Sequence, residues 1–189
     1  MGKYQGYEKY KDSGVEWLGE IPKHWKTIRL RNACSDIFLG LTGKVDYVDF
    51  GGFPLVRAIN IKNEKLDFSD IRFISEEQHK FLTKKHKAKK DDVLLTKSGS
   101  IGVAALVDTD QEFSIYESIF VLRAIQNIIL PVFLLRFITS DYCTAKYKRN
   151  IVGMGVGHLN MSDIIDVTIA LPPLDEQQDV LNTNQNKPT

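Results

Sequence analysis

Apolar residues fall in short blocks along this chain, separated by glycines, charged runs and turn formers. Blocks rich in Val, Ile, Leu and Phe at residues 27–30, 53–58, 71–74, 93–96, 103–107 and 118–124 predict strands. Residues 36–52, with Gly40, Gly43, Gly51 and Gly52, read as loop, and 60–65 as a polar turn. Helical patterning is sparser. Ser75-Glu76-Glu77-Gln78 has capping-box spacing, which predicts a helix from Glu76 to about Lys85 with Phe81 and Leu82 inward. Pro131 suits the first position of a second helix. It would carry Val132, Leu134, Leu135, Ile138 and Tyr142 inward, run to Lys148, and end among Lys146, Lys148 and Arg149. Residues 160–163 can cap a short helix. Residues 166–171 read as a last strand, stopped by Pro172-Pro173. Asp175-Glu176-Gln177-Gln178 suits a helix start that soon fails, leaving 179–189 as a frayed tail. The first 26 residues follow neither period. They read as an extended strap held to a body by Trp17, Leu18, Ile21 and Trp25.

Composition narrows the classes. A chain of 189 residues, 43% hydrophobic, suits one ordinary globular domain, or one domain with an appendage. The formal charge of +1 excludes a uniformly basic coat, though not a local basic patch. Cys34 and Cys143 stand far apart and outside any CxxC pair, so they read as buried thiols and not as metal or redox ligands. The longest apolar run, 128–138, is broken by Pro131 and Arg136, and the N-terminus has no signal-peptide core. A soluble cytoplasmic protein with no membrane partner is expected. Nucleophile-elbow, P-loop and HExxH patterns are absent, so no catalytic residue is assigned.

The most distinctive chemistry lies between Lys84 and Val107. Lys84, Lys85, Lys87, Lys89 and Lys90 precede one apolar run; Lys97-Ser98-Gly99-Ser100 joins it to the next. A Gly/Ser turn admits close backbone approach, and lysines beside it can meet phosphate. The simpler reading is a solvated charged face followed by an ordinary hairpin. Arg57 and Asn60, after a strand, are candidate base readers, since Arg suits guanine and Asn suits adenine; each also reads as a solvent residue or turn former. The loop 153–158, with Gly155 and His158, is a third candidate contact, or a plain connection between helices. Its glycines lack the preceding strand and the spacing of a dinucleotide fingerprint.

The order of motifs resembles a known family. Asp12-Ser13-Gly14-Val15-Glu16-Trp17-Leu18-Gly19-Glu20-Ile21-Pro22-Lys23-His24-Trp25 is similar to the opening of specificity (S) subunits of type I restriction–modification systems. Pro54 to Ile61, Asp92 to Gly102, Leu159-Asn160 and Leu171-Pro172-Pro173-Leu174-Asp175-Glu176-Gln177-Gln178 resemble later family segments in the same order. Asp91 stands where the family often has glycine.

The resemblance implies an α/β (α+β) target recognition domain with a twisted, mostly antiparallel sheet and flanking helices. It implies reading of one half of a split double-stranded DNA target without catalysis by this chain. A methyltransferase (M) subunit would dock beside it, and a restriction (R) subunit and a second S half are further partners it admits. S-adenosylmethionine, ATP and Mg would belong to those partners, with no cofactor here. The expected organisation is a strap at 1–26, one recognition domain at 27–178, and a tail at 179–189 where a spacer helix would begin. The chain is thus read as a truncated or half-length form. The alternative is an interaction module that docks on the methyltransferase without reading DNA. If about five phosphate contacts form, log affinity should fall with log salt at a slope of about −4.5.

Overall fold

The run Val93-Leu94-Leu95 is apolar without alternation because the strand it forms is covered on both faces. Val93 and Leu95 join one core with Leu30, Phe120, Leu122, Leu134, Leu135, Ile138 and Tyr147. Leu94 joins the other with Phe38, Val56, Phe113, Ile115, Ile119 and Val121. The computed structural model describes residues 7–16, 18–40, 43–151 and 157–185. Trp17, expected to anchor the strap, and Gly155 lie outside the described residues.

In chain order the strands are β1 (Tyr10–Asp12), β2 (Glu20–Pro22), β3 (Lys26–Arg29), β4 (Cys34–Leu39), β5 (Tyr47–Val48), β6 (Phe53–Val56), β7 (Ile61–Lys62), β8 (Lys65–Leu66) and β9 (Arg72–Ile74). After helix α1 (Glu76–Thr83) come β10 (Val93–Thr96), β11 (Ala104–Leu106), β12 (Ser114–Ile115) and β13 (Ile119–Ala124). Helices α2 (Pro131–Ile138), α3 (Asp141–Ile151) and α4 (Met161–Ile165) lead to β14 (Thr168–Leu171) and α5 (Leu174–Gln185). The central sheet runs β11-β10-β13-β4, antiparallel throughout. A second sheet runs β12-β6-β9-β5 and is antiparallel except for the β12–β6 pair. The central sheet is therefore the middle layer, with residues of α2 and α3 packed against one face and residues of the second sheet against the other. This is the mixed α/β, mostly antiparallel fold expected.

Several elements differ from the sequence reading, each for a physical reason. The strap is not wholly irregular: β1 and β2 pair antiparallel, Tyr10 opposite Pro22. The expected loop 36–52 contains most of β4, an edge strand of the central sheet. Its Ser35 and Asp36 hid it, and Asp36 is polar because it faces His86 at 3.2 Å and Arg123 at 3.8 Å. Ser75 caps α1 by accepting from Gln78 N at 3.2 Å, as the spacing predicts. The inward residue of α1, however, is His79, while Phe81 is 62% exposed. The second predicted helix is two, broken at 139–140, where Ser140 N donates to Phe137 O at 3.1 Å. The tail is helical through Gln185 and not frayed from 179. Asp91 has φ +69, a left-handed conformation that glycine adopts without cost and Asp tolerates.

Candidate nucleic-acid interface

The turn 97–102 projects from the C-terminal end of β10 and is fixed from both sides. Within it, Gly102 N donates to Thr96 O at 3.1 Å, and Val103 N to the Thr96 hydroxyl at 3.0 Å. Gly99 and Gly102 sit at φ +77 and +83, which only glycine adopts freely. A Cβ on Gly102 would lie 3.1 Å from the Tyr147 ring, so α3 backs the turn directly. Lys97 N donates to Ser118 O at 2.7 Å, and Lys97 O accepts from Leu159 N at 3.0 Å. Tyr116 N donates to Val56 O at 3.0 Å. These bonds chain four segments into one neighbourhood: the start of the Arg57 turn, residues 116–118, the Lys97–Ser100 turn, and His158. Lys97 and Ser98 are half-buried, and Gly99, Ser100 and His158 are exposed.

The lysine-rich segment lies at the other end of β10. Lys97 stands seven positions after Lys90, so at ~3.3 Å per residue they are up to about 23 Å apart. The lysines that the sequence sets in one stretch therefore divide between two ends of one strand. They also differ in their surroundings. Lys87 pairs with Glu112, and Lys90 with Asp110 at 3.4 Å. The Lys87 ammonium holds the Glu112 carboxyl below the usual glutamate range, with a smaller contribution from His79. Lys84, Lys85 and Lys89 are exposed and form no ion pair with a described residue.

What holds this segment down is a residue pair that charge counting missed. Asp92 is 1% exposed. It accepts from Arg123 Nε and Nη2, each at 2.8 Å, and from Lys89 N at 2.8 Å. Arg123 Nη2 also donates to Lys87 O at 2.8 Å. The hydrogen bonds to Asp92 keep the Arg123 guanidinium charged more firmly than usual, against the opposing effect of burial. An arginine inside the apolar run Ile-Phe-Val-Leu-Arg-Ala was the available signal.

Arg57 and Asn60 are held inward. Asn60 is 2% exposed; its Oδ1 accepts from Arg57 N at 3.0 Å and its Nδ2 donates to Asp67 O and Asp70 O at 3.2 and 3.3 Å. Buried, with both N–H groups donating and its oxygen accepting within the turn, it is a turn former, which corrects its candidacy as an adenine reader. Arg57 Nη2 donates to Asp70 O at 3.0 Å, so the guanidinium is directed at its own turn.

A separate clasp ties the two ends of the domain. β3 pairs with β14 over four residues, and Glu176 at the start of α5 accepts from Tyr7 Oη and Trp25 Nε1, each at 2.9 Å, and contacts His24. Burial opposes its charge, but these three hydrogen bonds outweigh it and hold the carboxyl below the ordinary glutamate range. Gln177, fully buried, bonds Leu130 N, Ile128 O and Pro172 O. Cys34 and Cys143 are buried, and burial pushes their thiols up to about 12 and about 11. Among the described residues no three His, Cys, Asp or Glu side chains group to hold a metal ion, and no helix is long and apolar enough to cross a membrane.

Comparison with known proteins gives this geometry a family. The chain is 26% identical over 169 residues to the putative type I restriction enzyme MjaX specificity subunit of Methanocaldococcus jannaschii, covering 86% of this chain and 39% of that one. It is 25% identical over 164 residues to the EcoBI specificity subunit of Escherichia coli, covering 85% and 34%. The crystal structure of the HsdS subunit from Thermoanaerobacter tengcongensis superposes with a TM-score of 0.66 at 20% identity, over 93% of this chain and 39% of that one. The chain thus spans about two fifths or less of the length of these relatives. A family model described as "Type I restriction modification DNA specificity domain" matches residues 22–183, and the chain belongs to that family.

Proposed function

We propose that this domain reads one half of a split target in double-stranded DNA, as the specificity part of a type I restriction–modification complex. The observation that carries the reading is the family match over residues 22–183, taken with the Lys97–Ser100 turn, exposed at Gly99 and Ser100 and braced on both sides. Backbone N–H groups and lysines of such a turn suit phosphates, and its serines suit base edges. Arg57 and His158 lie next to it along the hydrogen-bonded chain of segments. Lys84, Lys85 and Lys89 would add phosphate contacts from the far end of β10. The chain itself is non-catalytic in this reading. Methylation with S-adenosylmethionine, and cleavage with ATP and Mg, fall to methyltransferase and restriction subunits, and a second S half would read the other half-site.

One observation favours a second reading, docking on the methyltransferase without base reading. Phe50 is 92% exposed and Phe81 62% exposed, and aromatic surface of this kind suits protein contacts. The two readings separate in a selection of bound duplexes from a random pool, with the methyltransferase subunit absent and then present. An enriched short motif in either arm supports half-site reading. A folded chain that enriches none in either arm overturns it and leaves docking.

A further inference from the structure

The cations of α3 are the charged cluster that the turn-based reading leaves unused. Lys146 is half-buried, and Lys148 and Arg149 are exposed at the C-terminal end of the helix. None forms an ion pair with a described residue, whereas Lys87, Lys90, Arg123 and Arg136 all do. Lys97 is likewise without one. The helix that carries them is seated against the turn: Tyr147, 2% exposed, lies between Lys146 and Lys148 in sequence and packs on Gly102. The tyrosine that backs the turn therefore sets how this stretch of α3 lies against it, with Lys146 and Lys148 about 100° to either side of the packed ring around the helix. Lys97 and the α3 cations Lys146, Lys148 and Arg149 thus stand on two segments joined by the Gly102–Tyr147 contact, in a chain whose formal net charge is only +1.

From this juxtaposition we propose that the C-terminal end of α3 is a phosphate-binding flank of the DNA interface, contacting the duplex backbone beside the Lys97–Ser100 turn. The inference rests on the half-site reading above. It assigns a division of labour: Lys146, Lys148 and Arg149 anchor the duplex without regard to sequence, and the turn meets the bases. A plainer use for these cations is to offset the negative end of the helix. That use predicts a lower melting temperature on their removal and no change in DNA binding.

The test is a set of binding titrations with the full chain and random-sequence duplex, over a range of salt, with the methyltransferase subunit present if binding requires it. The variants are K146Q/K148Q/R149Q and the charge-preserving K146R/K148R/R149K. The first should bind all duplexes more weakly and lessen the log–log salt slope by about 0.9 per lost contact, up to about 2.7. It should still select the wild-type motif. The second should keep the wild-type slope. A neutralised variant that is folded and binds with wild-type affinity and slope overturns the phosphate flank while the half-site reading stands. A wild-type chain that binds no duplex in either arm overturns both.

Discussion

At the scale of single residues, the pair Asp92–Arg123 has more influence than any of the flagged lysines. The carboxylate is almost wholly removed from solvent, its side chain 2% exposed, and a two-pronged guanidinium contact compensates it. Taking away one partner of such a pair leaves a buried charge alone, which costs about 3–5 kcal/mol. Arg123→Ala should therefore lower unfolding stability by about that amount in chemical denaturation. Arg123→Lys should recover only part of it, because an ammonium cannot reproduce the planar fork. An effect under about 1 kcal/mol for the alanine variant would show the pair to be far more solvated than its geometry implies. The same substitution removes the anchor on Lys87 O, so it should also loosen the start of the lysine-rich segment.

At the scale of elements, α1 shows how a correct boundary can accompany a wrong face. The cap at Ser75 was legible because Ser, Glu, Glu and Gln fix it locally. The buried face was not, because hydrophobicity favours Phe81 over His79. The buried stripe instead follows 75, 78, 79 and 82, and His79 stacks on Phe53 at 3.9 Å between ring centroids and bonds Ser114 at 2.9 Å. β4 was missed for a related reason: Asp36 looks like a loop residue until Arg123 and His86 are placed beside it.

The docking of α1 should depend on pH. Burial first, and Lys87 in smaller degree, hold His79 below the ordinary histidine value, although Glu112 at 3.4 Å and Glu76 pull the other way. The unfolded chain then takes up this proton before the folded one as pH falls. The contribution of neutral His79 is complete above about pH 6.5 and is lost as pH drops through the lower folded value. Thermal unfolding of wild type and His79→Gln between pH 7.5 and 5.5 should show a stability difference that narrows with acid. A difference constant over that range would mean that α1 docks without regard to this proton.

At the scale of the whole molecule, the family was legible because its two most distinctive sequence stretches are one structure. Residues near Trp25 and residues near Glu176 meet in the clasp, and the intervening β3–β14 pair joins them. Aromatic, proline and glutamate positions at both chain ends are constrained together, so the pattern is specific. The candidate interface was less legible, because sequence proximity put Lys84–Lys90 beside Lys97 and the strand between them puts them at opposite ends. With a formal net charge of only +1, the electrostatic part of the proposed DNA binding would depend on where the cations stand. A lysine already paired with a carboxylate must give up that pair to displace a counterion from DNA, so it should add little to the salt slope. K87Q/E112Q and K90Q/D110N each remove a pair without altering net charge and should leave the slope at the wild-type value. K97Q removes a cation with no described acidic partner at the braced turn, and should lessen the slope by about 0.9. Salt titrations on one duplex decide between the ends of the strand. A slope that responds to the paired lysines and ignores Lys97 would move the interface to the N-terminal end of β10, where Asp92 and Arg123, and not Tyr147, hold the backbone that meets DNA.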